Sequence, residues 1–394
     1  MPPAPAQSLA AFCVVMGMAV RLRKGETFLW IPKERKGGGI VQQKPVTIKD
    51  IANHLGVSLS TVNKALTGKS GISEARRQEI ISTAQQMGYQ VNHVARSLAR
   101  RPICFGVVFP RFWESFWHEV RQGMDEELSQ LTSYHVSCEM RYVDSEEETG
   151  RAVRELLDRK VDALILFMAG FPFDEALCAK INESGIPVFV SGDEERQLNA
   201  KCTIGVNGEL AGSLAADVLQ LMLRPGDKTA VFIGSSRITI HTRKAEAFRQ
   251  AMEKNGFPVV CIRETQDDEQ QAAACTAQLL QEHPDLKAIY VASATGGPVI
   301  EHCARLQPEQ RPVIVATDVY DKVRTAMEDG VVTAVIHQNQ ELMGRLTIRV
   351  AYAYLCGQNS YCMERQETVE RIDVNPRLLL RSGIGEDAIS AYRV

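Results

Sequence analysis

From Ile103 onward the chain repeats one pattern: a short run rich in β-branched and aromatic residues, then a longer amphipathic stretch. No other feature constrains the fold so tightly. Strict strand–helix alternation calls for parallel sheets covered by helices on both faces. The strands are expected at Ile103–Phe109, His135–Tyr142, Ala163–Phe167, Pro187–Val190, Thr229–Ile233, Val259–Arg263, Ala288–Val291, Val313–Ala316 and Val332–Ile336. Helical patterns between them include Phe116–Leu131, Glu146–Arg159, Leu210–Leu223 and Arg243–Asn255. The stretch is too long for one comfortable open sheet, and Arg224-Pro225-Gly226-Asp227 breaks it in the middle. The expected fold class is α/β: a body over 102–376 made of two doubly wound lobes, with a cleft at the carboxyl ends of the strands. Residues 377–394 read as a C-terminal tail. No leucine heptad is sustained after Arg371, so no tail-mediated tetramer is expected.

Composition excludes several classes. The 394 residues are 45% hydrophobic and 24% charged, which rules out wholesale disorder and fibrous structure. No apolar run reaches the roughly 18 residues of a membrane-spanning helix. The longest, Leu9 to Val20, has no basic residue before it and no cleavage site after it, so neither secretion nor a membrane partner is expected. Ten cysteines without a C-x-x-C pair fit reduced thiols in the cytoplasm, not a disulfide framework or a zinc ribbon. The net charge of -3 hides an asymmetry. Residues 41–101 hold nine basic and three acidic side chains, whereas the rest of the chain beyond them holds 30 basic and 43 acidic. A basic head on an acidic body points the head at a polyanion.

Residues 45–90 read as helices joined by tight turns. Thr47 with Asp50 three residues on suggests a capping box, and Ile48, Ile51, Ala52 and Leu55 form one apolar face. Gly56 stops that helix. Ser58 caps a second, Leu59 to Leu66, and Ser73 caps a third that runs to Met87. Helix, Gly-Val-Ser turn, helix is the spacing of a helix-turn-helix, whose second helix reads base edges. The alternative is a structural helical hairpin with solvated charges. A short stretch, Asn92 to Ala99, falls in a linker over 91–101. Residues 1–44 show no period of 2 or 3.6 and are expected to be a disordered extension. Its KERKGGG run looks like translated ribosome-binding sequence, which would place the native start near Val41.

Val46-Thr47-Ile48-Lys49-Asp50-Ile51-Ala52, Gly56-Val57-Ser58, Ser60-Thr61-Val62, Ala65-Leu66, Gly88-Tyr89, Asn92 and Ala95-Arg96-Ser97-Leu98 resemble the head of the lactose/galactose-repressor (LacI-type) family. The resemblance extends to about Asp373 and implies a body similar to periplasmic sugar-binding proteins. It also implies DNA-reading roles for Leu59, Ser60, Asn63 and Lys64, where Lys64 stands in place of the usual arginine. Thr47, Ser58 and Thr61 would hold phosphates. Asn92, Ala95 and Leu98 would belong to a hinge helix that meets the minor groove, with Leu98 as the wedge.

No P-loop, G-x-S-x-G, H-E-x-x-H or dinucleotide fingerprint is present, so no enzyme, cofactor or metal is expected. The resemblance places Trp113, Phe116 and Trp117 after the first strand as sugar-stacking aromatics, and Arg243, Asp318 and Gln338 as polar ligand contacts. Ser293-Ala294 stand where the family commonly has an Asn-Asp pair, and Asn207 where Asp is usual. The expected function is a homodimeric repressor of transcription bound to double-stranded operator DNA and controlled by a sugar or sugar derivative. The rival is a solute-binding protein of a transport system.

Overall fold

The computed structural model describes residues 19–20, 46–66, 70–87, 101–111, 114–168, 173–192, 197–293, 296–356 and 371–384. They form two compact units, one holding the head and one the body.

In the head, helices α1 (Ile48–Leu55), α2 (Leu59–Leu66) and α3 (Glu74–Gln86) enclose a small core of Ile51, Ala52, Val62, Ala65, Ile80 and Ala84. The capping box is present: Thr47 Oγ1 accepts from the Asp50 amide at 3.3 Å, and the Thr47 amide donates to Asp50 Oδ2 at 2.8 Å. Gly56 ends α1 at φ +63°, a left-handed turn that costs other residues strain. Ser58 Oγ accepts from the Thr61 amide at 3.1 Å and starts α2. Arg77 donates to the carbonyls of Lys64 and Ala65 at 3.2 and 3.3 Å, satisfying the end of α2 with a cation.

The body has two sheets. The first is built on β2 (Ile103–Pro110), β3 (Val136–Val143), β4 (Ala163–Met168), β5 (Val188–Gly192) and β6 (Cys202–Val206), ordered β3-β2-β4-β5-β6. The second is built on β7 (Lys228–Ile233), β8 (Val259–Glu264), β9 (Leu286–Val291), β10 (Val313–Thr317) and β11 (Ala334–His337), ordered β8-β7-β9-β10-β11. All of these pairings are parallel. Each sheet is thus doubly wound, and its order reverses at β2/β4 or at β7/β9. Every side chain of β4 is buried, as a strand covered on both faces requires.

Helices α4 (Glu114–Leu131), α5 (Glu146–Asp158) and α6 (Glu175–Glu183) serve the first lobe. Helices α7 (Gly208–Gln220), α8 (Thr239–Lys254), α9 (Glu269–Glu282), α10 (Gly297–Ala304) and α11 (Asp321–Glu328) serve the second. Helix α12 (Gln340–Leu355) follows β11 but returns to the first lobe, where Met343, Leu346 and Ala351 join the core of Phe105, Val107 and Phe189. It crosses α4 closely enough that a Cβ on Gly123 would lie 1.9 Å from the Glu341 carbonyl oxygen. Arg349 bonds the buried Glu127 at 2.8 and 2.7 Å, fixing that crossing.

Two boundaries differ from the expected ones. β12 (Arg371–Val374) pairs with β6, and β13 (Arg377–Leu379) pairs antiparallel with β11. The body therefore runs past residue 376, and the buried Ile384 belongs to the core of the second lobe. Ala19–Val20 form β1, antiparallel to β12, so this pair belongs to the first sheet and not to an unstructured extension. The physical reason is the same in both cases: a sheet edge offers unpaired amides and carbonyls to any nearby extended segment.

Candidate nucleic-acid interface and ligand cleft

On α2 the side chains of Leu59, Ser60 and Asn63 are exposed, and Leu59 is 52% exposed although it is a large apolar residue. The other face of α2 carries the buried Val62 and Ala65. The helix thus presents a short polar and apolar strip outward, directly after the Gly56 turn, as a major-groove reader needs. Thr47 and Ser58 are exposed and Thr61 is half-buried; Ser58 Oγ and Thr61 Oγ1 are 2.9 Å apart. Lys64 is half-buried, its Nζ 3.5 Å from where a Cβ on Gly71 would stand, so it lies along the turn before α3. Asn92, Ala95 and Leu98 lie outside the described residues, as does Trp113.

Three crossovers among the described residues join the lobes: Asn207 between β6 and α7, Gln338-Asn339 between β11 and α12, and Asn375-Pro376 between β12 and β13. Ile240, in the first turn of α8, packs on the first lobe's core, which brings the start of α8 to that lobe. On the first lobe, Trp117 is buried, edge-on to Phe116 at 5.0 Å and to Phe109 at 5.6 Å. Its Nε1 is buried without a hydrogen-bond partner. Phe116 is half-buried. The expected stacking platform is thus an aromatic cluster in which Trp117 is largely core and Phe116 is partly open.

On the second lobe, polar groups converge at the strand ends. Asp318 follows β10 in the left-handed region at φ +60° and is buried. Its Oδ1 accepts from the Gln338 amide at 2.9 Å and its Oδ2 from Gln338 Nε2 at 2.5 Å. Burial pushes the Asp318 carboxyl up, against the pull of His337, Lys244 and Gln338. Asn339 is also left-handed at φ +60°, and its amide donates to His337 Nδ1 at 3.0 Å. Two non-glycine residues in the left-handed region thus stand at adjacent strand ends. His337 Nε2 faces Glu119 Oε2 of α4 at 3.1 Å, poorly aligned as a hydrogen bond but close as a charge contact between lobes. Burial opposes the imidazolium; Glu119 and Asp318 favour it and prevail, so the pKa is raised.

A cation of this cluster that the sequence reading did not name is Lys244, the neighbour of Arg243 on α8. Lys244 is 1% exposed, and its Nζ donates to the Ala292 carbonyl at 3.3 Å. Burial lowers its pKa to about 8, with Asp318 and Asp267 pulling the other way. Arg243, one position round α8, is half-buried beside Gly208, the first residue of α7. A signal for Lys244 was present in the sequence: it lies four residues before Phe248, on the helix face that both bury. Among the described residues no group of three or more His, Cys, Asp or Glu is placed to hold a metal ion, and no helix is long and apolar enough to cross a membrane.

Residues 47–92 match the lacI family of bacterial regulatory proteins, and residues 105–359 match the periplasmic binding protein domain family. The catabolite control protein A of Priestia megaterium is 27% identical over 217 residues, 54% of this chain and 63% of the relative. That of Streptococcus mutans is 26% identical over 54% of this chain and 62% of the relative. The chain therefore aligns with under two thirds of the length of these relatives. Among solved structures, the arabinose-binding protein AraP of Geobacillus stearothermophilus superposes with a TM-score of 0.63 at 19% identity, covering 74% of this chain and 100% of that one. The glucose-galactose-binding protein GanP of the same organism gives 0.62 at 20% identity, over 72% and 99%. At such identity these likenesses speak to fold.

Proposed function

The chain belongs to the lacI family of bacterial regulatory proteins with a periplasmic-binding-protein body, and from that premise we propose a DNA-binding repressor of transcription controlled by a small ligand. The observation that carries this reading is the exposed strip Leu59, Ser60 and Asn63 on a helix that follows a left-handed glycine turn in a strongly basic head. Phosphate contacts by Thr47, Ser58 and Thr61 hold the head on the duplex, and the α2 strip reads bases. The ligand is a sugar or sugar derivative bound between the lobes. The convergence of Asp318, Gln338 and Lys244 at the strand ends supports it, as do the sugar-binding relatives of the same fold.

The active form is a cytoplasmic homodimer, because operator half-sites are read by paired heads. The ligand is sensed and not transformed: it acts by its differential affinity for two states of the body. A transport solute-binding protein would need no basic helix-turn-helix. Binding of the full chain to duplex DNA across a salt series is the test. Neutralising about six phosphates would cost roughly a thousandfold in affinity between 50 and 200 mM salt. DNA binding that is absent or insensitive to salt would overturn the reading.

A further inference from the structure

The second lobe buries a lysine at the point where its sheet reverses order. Ala292, whose carbonyl receives Lys244 Nζ at 3.3 Å, directly follows β9, and β9 with β7 is the reversal pair. Open α/β sheets take their ligands at that place. An ammonium has three donors, and Lys244 uses one of them. Asp318 and Asp267 act on it through space, yet among the described residues it forms no salt bridge. Both oxygens of Asp318 are occupied by Gln338 instead. The Asp267 carboxylate lies against Gly234, where a Cβ would come within 2.0 Å of it. Tyr290, on β9 and tilted against Phe248 at 5.1 Å, adds a second buried donor. Its hydroxyl has no aligned hydrogen-bond partner, the nearby Thr317 hydroxyl donating to the Val291 carbonyl at 2.8 Å.

A neutral sugar hydroxyl would fill an open donor of Lys244 and leave its charge without a direct counter-ion. An anionic oxygen does both, and a buried cation lacking a close partner is otherwise a standing cost to the fold. We propose that the ligand carries an oxyanion, a carboxylate or phosphate on a sugar-like polyol, and that Lys244 receives it at the carboxyl end of β9. This rests on the reading of the body as the ligand-sensing part of a regulator. A lysine meets such a group as a point charge, which does not by itself distinguish a carboxylate from a phosphate.

The test is the melting temperature of the full chain with matched probes: D-glucose, D-glucuronate and D-glucose 6-phosphate, then D-galactose, D-galacturonate and D-galactose 1-phosphate. In at least one set an anionic member should raise Tm by several degrees and bind at least tenfold tighter than its neutral parent. Whether the acid or the phosphate does so identifies the group. Lys244→Arg should keep the preference. Lys244→Met, which fills the same space without charge, should erase it. A neutral parent that stabilises as well as its anionic partners overturns the proposal, and so does the failure of every anionic member of both sets to shift Tm. Neither result touches the proposed regulator, which stands or falls on the salt-dependent DNA binding.

Discussion

Lys244 shows what a single buried charge does to stability. Its pKa is pushed from 10.5 to about 8 by burial. Below pH 8 folded and unfolded chains both carry the proton, and the fold bears the full cost of desolvating it. Between about pH 8 and 10.5 the unfolded chain holds the proton more tightly, so the Lys244 contribution to stability rises with pH. A shift of that size is worth about 3 kcal/mol. Lys244→Met should therefore be more stable than the parent chain at pH 7, and its advantage should shrink by roughly 3 kcal/mol toward pH 10.5. Urea unfolding of both chains at pH 7 and 10 measures the gap, and a pH-independent gap would show that burial does not lower the Lys244 pKa in the fold. Asp318 makes the complementary case. Asp318→Ala strands the Gln338 amide and side chain that it now receives. The variant should lose its ligand response while its ligand-free DNA affinity stays within about twofold; intact ligand release in a fluorescence-anisotropy titration would remove Asp318 from the site. The sequence proposes Asp318 and Gln338 because the resemblance points to them and each closes or follows a clear apolar strand. Lys244 is not singled out there, because the resemblance points to Arg243 beside it, and only the burial of the Phe248 face reveals which of two neighbours about 100° apart on a helix is enclosed.

At the level of elements, α4 and α12 cross with their backbones in close approach. A Cβ on Gly344 would lie 1.9 Å from the Val120 carbonyl oxygen, and backbone cannot give way as a side chain can. Gly344→Ala should cost about 3 kcal/mol or more through overpacking, although alanine is the better helix former. Gly383→Ala meets nothing within 4 Å and should be close to neutral. Thermal unfolding of the two variants side by side tests this; equal melting temperatures would mean that the helices separate freely. The elements that the sequence revealed are those coded locally. Thr47 with Asp50, Gly56 and Ser58 each act within four residues, and β2 and β4 are continuous apolar runs. β12 and β13 escaped because they are four and three residues long and owe their existence to partners far away in sequence. Arg371 and Asp373 make β12 look like loop, yet they pair with each other at 2.5 Å while Ile372 and Val374 are buried. β6 is missed for a similar reason: five residues with a threonine and a glycine give little local signal until β5 and β12 flank it.

For the molecule as a whole, the question is how a ligand between the lobes alters anything beyond them. Among the described residues the lobes share three crossovers, and two of these are tied directly. The Asn207 amide donates to the Val374 carbonyl at 2.9 Å, and Asn207 Nδ2 donates to Asn375 Oδ1 at 3.0 Å. Asn207 Oδ1 also caps α7 by accepting from the Leu210 amide at 3.0 Å. One residue thus couples the start of a second-lobe helix to the strand that leaves the first lobe for the last time. Lobe rotation must bend both crossovers together for as long as this tie holds, so the tie favours two discrete arrangements over a continuum, which is what an allosteric body needs. Asn375→Ala removes only the side-chain bond; the backbone bond and the α7 cap remain. A single hydrogen bond contributes about 1 kcal/mol, and allosteric couplings are typically about 1–3 kcal/mol. The variant should therefore bind ligand and DNA separately much as the parent does, while the ratio of DNA affinities with and without ligand falls severalfold. The measurement is a DNA-binding titration at zero and saturating ligand for both chains. An unchanged ratio would show that this side-chain bond carries none of the coupling, which then runs through the remaining backbone tie, through His337 and Glu119 or through the α12 crossing.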